Sequence, residues 1–275
     1  MTVERVSVGS VEIVSVVDGM MRAPPAFMFA GIPDQMSRPA LGDDLAADGT
    51  FAVKFGSFLV RSSGRTVLVD TGAGVKNPQM RGGQLLDNLA ALGVKPEDID
   101  IVVMTHLHVD HVGWNCTERD GRLVPTFANA EYWINQTEWD YWTEPPTCDE
   151  ESCIATDVLP LRDSPQLRLV DGEAAMTAEL SLLPTPGHTP GHCSIAVASA
   201  GERAVILGDV AHHPLHLTRL WVSAIDELPR VSRRTKRALA QRLVDERWLV
   251  AGGHFTPGSF GRLMLADGQR AWQSL

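Results

Sequence analysis

Apolar positions along the chain fall mostly into short runs that end abruptly in polar, chemistry-bearing residues. Ile101-Val102-Val103-Met104 is the length of a buried strand, and Thr105 ends it. Ala204-Val205-Ile206-Leu207-Gly208 and Trp248-Leu249-Val250-Ala251-Gly252-Gly253 are runs of the same kind, the first ending in Asp209 and the second in His254. Two longer stretches share a plan of strand, tight turn and strand with a terminal acid: Phe58 to Asp70, turning at Ser63-Gly64, and Ser194 to Asp209, turning at Ala200-Gly201. A helix is predicted from about Gly83 to Leu92, stopped by Gly93, and it leads into the Ile101 strand. Such repeated units imply two pseudo-equivalent halves that bring their strand ends to one edge.

Helical periodicity governs Arg230 to Arg242. It predicts an amphipathic helix with Ala238, Leu239, Leu243 and Val244 inward and Arg233, Arg234, Lys236 and Arg237 in solvent. Two stretches stand apart from the strand plan. Gly19 to Thr50 is rich in Pro, Met, Gly and Phe, with Ala23 to Phe29 its most apolar part. Trp114 to Ile154 carries Phe127, Tyr132, Trp133, Trp139, Tyr141 and Trp142, within which Ala130 to Ile134 reads as a strand and Gln136 to Trp142 as a short helix. Loops bearing large apolar groups fold over a pocket or meet a partner, so Phe27, Phe29 and Trp114 are candidate substrate contacts, with a dimer interface as the competing role.

The chemistry is concentrated where the Ile101 strand ends. His106, His108, Asp110 and His111 place four potential metal ligands within six positions. Histidines two apart in an extended chain point the same way, so His106 and His108 suit one metal while Asp110 and His111 turn toward a second. His188, in the rigid Thr185-Pro186-Gly187-His188-Thr189-Pro190-Gly191-His192 turn, joins Asp209 and His254 as further ligand candidates. Two metals about 3.5 to 4 Å apart need a bridging carboxylate, for which Asp209 is the natural choice. Imidazole and carboxylate suit zinc and related first-row ions, and the all-thiolate set of a closed structural zinc or an iron-sulfur cluster is lacking. His192 is read as structural, hydrogen-bonded near the turn.

Charge and composition narrow the partners. A net charge of −10 argues against a nucleic-acid substrate, since only the Arg230 to Arg242 stretch is markedly basic. The first ten residues have no apolar signal-peptide core and no run is long enough to span a membrane, so a cytoplasmic protein without membrane contact is expected. Cys116, Cys148, Cys153 and Cys193 form no Cys-x-x-Cys pair and are expected to be reduced, a Cys148 to Cys153 bridge being the less favoured alternative. No Gly-x-Ser-x-Gly elbow offers a serine nucleophile.

The ordered set of Asp70, the His106 to His111 cluster, His188, Asp209 and His254 resembles the metallo-β-lactamase superfamily, and its motifs span most of the chain. The resemblance implies an α/β fold, an αββα sandwich formed as one domain over residues 1–275 with insertions near 19–50 and 114–154. It implies His106, His108 and His188 for a first metal, Asp110, His111 and His254 for a second, Asp209 as the bridge, and Asp70 as a support behind the ligands. Two divalent ions are expected as cofactors, Zn2+ foremost, with Mn2+, Co2+ or Fe2+ as alternatives.

The implied chemistry is hydrolytic. A water whose pKa the metals lower to about 7 attacks a carbonyl or phosphorus, and Asp110 also relays a proton to the leaving group. Gly187 to His192, Gly253 to Gly258 and Phe55 to Val60 look like the branch holding lactonases and organophosphate or aryl ester hydrolases. A small-molecule lactone or carboxylic ester is therefore the expected substrate, a phosphotriester a further option, and a homodimer the expected assembly. Quorum-quenching lactonases of that branch often carry a tyrosine three positions after the bridging aspartate. Here His212 stands at that position, and with His213 and His216 it is a candidate pocket residue.

The rival readings each have a discriminator. A glutathione thioester hydrolase of the same superfamily carries basic residues in a helical extension, whereas about twenty residues follow His254 here. A redox diiron protein carries glutamate where His108 stands, and persulfide-oxidising members keep a single iron. A β-lactamase would normally need export. A non-catalytic scaffold would have lost ligands, and all are present.

Overall fold

The structure is a computed structural model that describes residues 3–77, 80–144 and 152–275. The first half of the chain contains β1 (Arg5–Val8), β2 (Val11–Ala23), β3 (Phe51–Ser62), β4 (Arg65–Val69), β5 (Ile101–Val103), β6 (Cys116–Arg119), β7 (Arg122–Pro125), β8 (Glu131–Asn135) and β9 (Leu167–Val170). The second contains β10 (Ala174–Ala175), β11 (Leu180–Pro184), β12 (Cys193–Ser199), β13 (Glu202–Ile206), β14 (Leu249–Ala251), β15 (Phe260–Ala266) and β16 (Gln269–Ser274). Among the described residues they build a seven-stranded sheet in the order β1-β2-β3-β4-β5-β8-β9, a second in the order β10 to β16, and a separate β6-β7 ribbon.

The repeated hairpins are the organising units of both sheets. Ser62 pairs with Arg65 across Ser63 (φ 50°) and Gly64 (φ 75°), and Ser199 pairs with Glu202 across Ala200 (φ 50°) and Gly201 (φ 81°). Two central residues with positive φ make the tight turn whose twist matches antiparallel strands. Each hairpin then passes to a parallel neighbour, β4 to β5 and β13 to β14. The chemistry-bearing residues leave these parallel strands at their C-terminal ends, where open α/β sheets place their sites.

Alternation along the strands supplies three apolar layers. Val60, Val67, Val69, Ile101 and Val103 pack between the sheets against Ile195, Val197, Ala204, Ile206 and Ala251. On the outer face of the first sheet, Leu59, Leu68, Val102 and Tyr132 meet Leu85 and Leu89 of the Leu85–Ala91 helix and Trp139 of the Gln136–Thr143 helix. On the outer face of the second, Val205, Val250 and Leu263 meet Leu217 of the Pro214–Thr218 helix and Leu239, Ala240 and Leu243 of the Pro229–Asp245 helix. This is the expected αββα order. In chain order the helices are α1 (Pro25–Met28), α2 (Asp34–Leu41), α3 (Leu85–Ala91), α4 (Val109–Val112), α5 (Gln136–Thr143), α6 (Pro214–Thr218) and α7 (Pro229–Asp245).

Several expectations are corrected by packing. In α7, Leu239 and Leu243 are buried and Val244 half-buried, but Ala238 is exposed and Lys236 is fully buried. Lys236 turns inward because a carboxylate from outside the helix, Asp226, receives it. The 19–50 stretch is partly sandwich, since Gly19 to Ala23 prolong β2. Its remainder forms a small core of its own, in which Met28, Phe29 and Leu41 pack with Phe51, Leu215 and Trp221. Cys116, Cys153 and Cys193 are free thiols, and Cys148 lies outside the described residues. Among the described residues no helix is long and apolar enough to cross a membrane.

Candidate metal centre

The exit from β5 is fixed by Asp70, which leaves the neighbouring β4 with φ 59°. Its Oδ1 accepts the Thr105 backbone N–H at 2.8 Å, and its Oδ2 accepts the Thr105 hydroxyl at 2.8 Å and His111 Nδ1 at 2.9 Å. Asp70 therefore holds the chain behind the histidines. Glu138 on α5 ties this loop to the second half: it accepts the N–H of Leu107 at 3.1 Å and of Trp142 Nε1 at 2.8 Å, the Thr189 hydroxyl at 2.6 Å and the Gly191 N–H at 3.0 Å.

So held, the ligand candidates converge in two groups that share Asp209. His108 Nδ1 lies 3.0 Å from His106 Nε2 and 2.9 Å from His188 Nε2, while Asp209 Oδ2 lies 3.6 Å from His106 Nε2 and 3.2 Å from His188 Nε2. On its other side, Asp209 Oδ1 is 3.3 Å from His111 Nε2 and 2.9 Å from His254 Nε2, and Asp110 Oδ2 is 3.7 Å from both of those nitrogens. Of these four imidazole nitrogens around Asp209, two thus come from each half of the chain.

Most of the histidines are oriented through the second ring nitrogen. His106 Nδ1 meets the Thr105 hydroxyl at 3.0 Å, His111 Nδ1 meets Asp70, His188 Nδ1 meets Asp226 Oδ1 at 3.1 Å, and His254 Nδ1 meets the Lys54 carbonyl at 2.6 Å. Partners of this kind set the tautomer that leaves Nε2 free to ligate. Buried His111 Nε2, His254 Nε2 and Asp209 Oδ1 have no hydrogen-bond partner. Buried polar atoms without partners are rare, and their convergence with imidazole and carboxylate donors fits two divalent ions.

Residues 57–254 match the Metallo-beta-lactamase superfamily. The chain belongs to that superfamily. Among its relatives, an N-acyl homoserine lactonase of a Bacillus sp is 28% identical over 171 residues, 54% of this chain and 60% of the relative. One from Bacillus cereus is 25% identical over 190 residues, 62% of this chain and 69% of the relative. The chain thus spans about 60% of the length of the first of these proteins. A solved structure described as the hydrolase AbOPH of the beta lactamase superfamily superposes with a TM-score of 0.85 at 25% identity, covering 99% of this chain and 97% of that one. AidC, described as a dizinc quorum-quenching lactonase, shares the fold with the same TM-score and coverage at 20% identity.

Electrostatics in this superfamily member follow from burial. Burial keeps His106 well below the ordinary imidazole value and brings His108 down to about 3, so both are neutral, as metal ligation requires. Burial also opposes a charge on Asp209, but His254, His111, His212 and His106 around it hold its carboxyl well below the usual range. For His188, burial is outweighed by Asp209 and Asp226, which raise it to about 9. An ion held at His188 would have to displace that proton. His192, fully buried, touches the Thr185 hydroxyl at 2.9 Å through Nδ1 and accepts the Asp209 N–H at 2.9 Å through Nε2. Both its nitrogens are engaged in holding the turn.

Above the cluster lies a cavity of about 540 Å3, reached by His108, Asp110, Asp209, His212 and His254 and walled by Met21, Phe27, Met28, Val53 and Met80. Of the expected contacts, Phe27 and His212 line it; Phe29 and Trp114 do not. Phe29 is buried against Phe51, His216 and Trp221 beneath the insertion. Trp114 faces a different cavity and donates its indole N–H to Asp18 at 2.9 Å. His213 and His216 are also structural, the first meeting Asp44 at 3.1 Å and the second joining the His212 N–H to the Met28 carbonyl. The Met-rich composition of the 19–50 stretch points to Met21 and Met28, but Met80 lies outside it. Asp226 and Glu138 carry no such signal, because the contacts that give them a role, His188 for Asp226 and Leu107, Thr189 and Gly191 for Glu138, are remote in the chain.

Proposed function

We propose that the chain is a dinuclear metal-dependent hydrolase of a neutral lactone or carboxylic ester bearing an apolar group. The carrying observation is the position of the partnerless Asp209 and histidine atoms at the base of a methionine-rich cavity. Two divalent ions held by His106, His108, His188, Asp110, His111, His254 and the shared Asp209 would supply a nucleophile from water at neutral pH and polarise the scissile carbonyl. The methionines and Phe27 would hold the apolar group by adaptable dispersion contacts. Asp110, with 17% of its side-chain surface exposed at the cavity, is placed to pass a proton to the departing alkoxide oxygen.

The cavity's charge favours this reading over its rivals. Its described lining carries Asp110, Asp226 and Glu227 but no lysine or arginine. A carboxylate of the kind that a glutathione thioester or a β-lactam brings would find no lysine or arginine partner on that wall. Relatives named as N-acyl homoserine lactonases support the lactone option. The test is a substrate panel of lactones, aryl esters, phosphotriesters, a thioester and a β-lactam on metal-analysed protein. Stripping with a chelator should cost about 10²-fold or more of the lactone or ester rate, restored by zinc, manganese or cobalt. Activity that survives stripping would reject the proposal.

His212 lines the cavity, stacks on His254 at 5.2 Å between ring centroids and sets its Nε2 3.0 Å from Asp209 Oδ2; burial lowers it to about 4, so it would serve as a neutral donor to a substrate oxygen bound there. His212→Phe should keep both metal equivalents and lower kcat/KM by about 10- to 100-fold, with His212→Tyr recovering much of the loss. Loss of an equivalent in the Phe variant would instead make His212 a ligand.

A further inference from the structure

The basic residues of α7 divide into two unlike sets. Arg230, Arg233, Arg234 and Arg237 are exposed, whereas the Lys236 side chain has no exposed surface. Its Nζ donates to Asp226 Oδ2 at 2.8 Å and to the Ser232 hydroxyl at 2.8 Å, and that hydroxyl donates onward to the same Oδ2 at 2.6 Å. The Ser223 backbone N–H is a third donor to this carboxylate oxygen, at 3.0 Å. Asp226 Oδ1 is left for His188 Nδ1, at 3.1 Å.

The same segment grips the backbone on either side of His188. Glu227 N–H donates to the His188 carbonyl at 2.8 Å, Leu228 N–H to the Gly187 carbonyl at 3.0 Å, and the Thr235 hydroxyl to the Pro186 carbonyl at 2.6 Å. A Cβ on Gly187 would lie 2.3 Å from Ser232 Cα, so only glycine lets α7 approach the turn this closely. A buried ion pair is a poor source of stability, because apolar residues of similar volume usually serve as well or better. What an apolar pair cannot provide is an acceptor fixed in place for an imidazole N–H.

We propose that Lys236 and Asp226 are positioning residues: Lys236 pins the Asp226 carboxylate, and Asp226 sets the tautomer and ring plane of His188 so that Nε2 faces His106 and His108. Asp70 plays the matching part for His111 in the first half of the chain. The inference rests on His188 being a ligand and adds a remote helix to the control of one ion of the pair. It predicts that the charge pair governs metal affinity on one side of Asp209 beyond any effect on folding.

The test uses full-length protein stripped of metal, titrated with zinc against a competing chelator and melted in parallel. Asp226→Leu combined with Lys236→Met leaves the Ser223 N–H and the Ser232 hydroxyl without their acceptor, so it should melt somewhat below wild type without metal. It should bind one zinc equivalent normally and the other about 10- to 100-fold more weakly. Asp226→Glu keeps the charges but moves the carboxylate, and it should weaken the same equivalent even if the double variant folds poorly. Normal affinity for both equivalents in Asp226→Glu would overturn the proposal, as would equal weakening of both equivalents tracking lost stability in the double variant. His188→Ala separates the two levels of the argument. If it still binds two equivalents normally, the ligand assignment itself fails; if it loses one while Asp226→Glu loses none, only the positioning role fails.

Discussion

Replacing Asp209 by alanine is expected to lower bound metal from two per chain to one or fewer, and to cut hydrolysis by about 10³-fold or more. Its two oxygens face different histidine groups, Oδ2 toward His106 and His188 and Oδ1 toward His111 and His254. No other described carboxylate belongs to a ligand group with His106, His108 and His188. Asp209→Asn separates charge from shape, since the amide keeps the volume but loses the negative charge and presents an NH2 to one set of imidazoles. It should therefore fail nearly as badly. Elemental analysis together with kcat/KM checks both variants. Two equivalents retained at wild-type affinity in the alanine variant would exclude the bridging role.

The largest loss of stability is expected at a residue that touches no ligand. Asp18 is fully buried and its two oxygens accept five hydrogen bonds: Oδ2 from the N–H groups of Ala73 and Gly74, and Oδ1 from those of Gly83 and Leu85 and from the Trp114 indole. Removing a buried acceptor leaves every one of its donors unpaired, and each unsatisfied group costs about 1 to 3 kcal/mol. Asp18→Ala should therefore lose on the order of 3 to 5 kcal/mol or more, measured by denaturant unfolding of metal-free protein. A loss under about 1 kcal/mol would mean that water satisfies the loop as well as Asp18 does. Trp114→Phe removes one of the five donors and is expected to cost much less.

What the amino-acid sequence reveals, and what it hides, divides along physical lines. The strand-end places of the candidate ligands are legible because an apolar run such as Ile101 to Met104 fixes both the strand and the point at which a polar residue must leave it. The two hairpins are legible because Ser63-Gly64 and Ala200-Gly201 sit between short apolar runs. Lys236 was misplaced because periodicity reports which positions share a helix face, not that Asp226 waits there to receive a charge. Phe29 and Trp114 were misplaced for a similar reason: large apolar groups signal burial, but their partners, Trp221 and Asp18, lie far away in the chain. Glu138 was silent because a carboxylate on a short helix looks solvated until Leu107, Thr189 and Gly191 are seen converging on it.

The division of donors between the hairpin units has a mechanical consequence. His106, His108, Asp110 and His111 leave the first sheet, while His188, Asp209 and His254 leave the second. An ion on either side of Asp209 would thus be a rivet through the seam of the sandwich. Separating the two leaves would require breaking coordination bonds as well as parting the apolar layer between Val69, Val103 and Ile206. Hydrogen exchange in β4, β5, β13 and β14 should then slow together when zinc is added, by the amount that mass action assigns to binding. The chain's resistance to unfolding, and with it its survival against proteases, would rise and fall with the supply of metal.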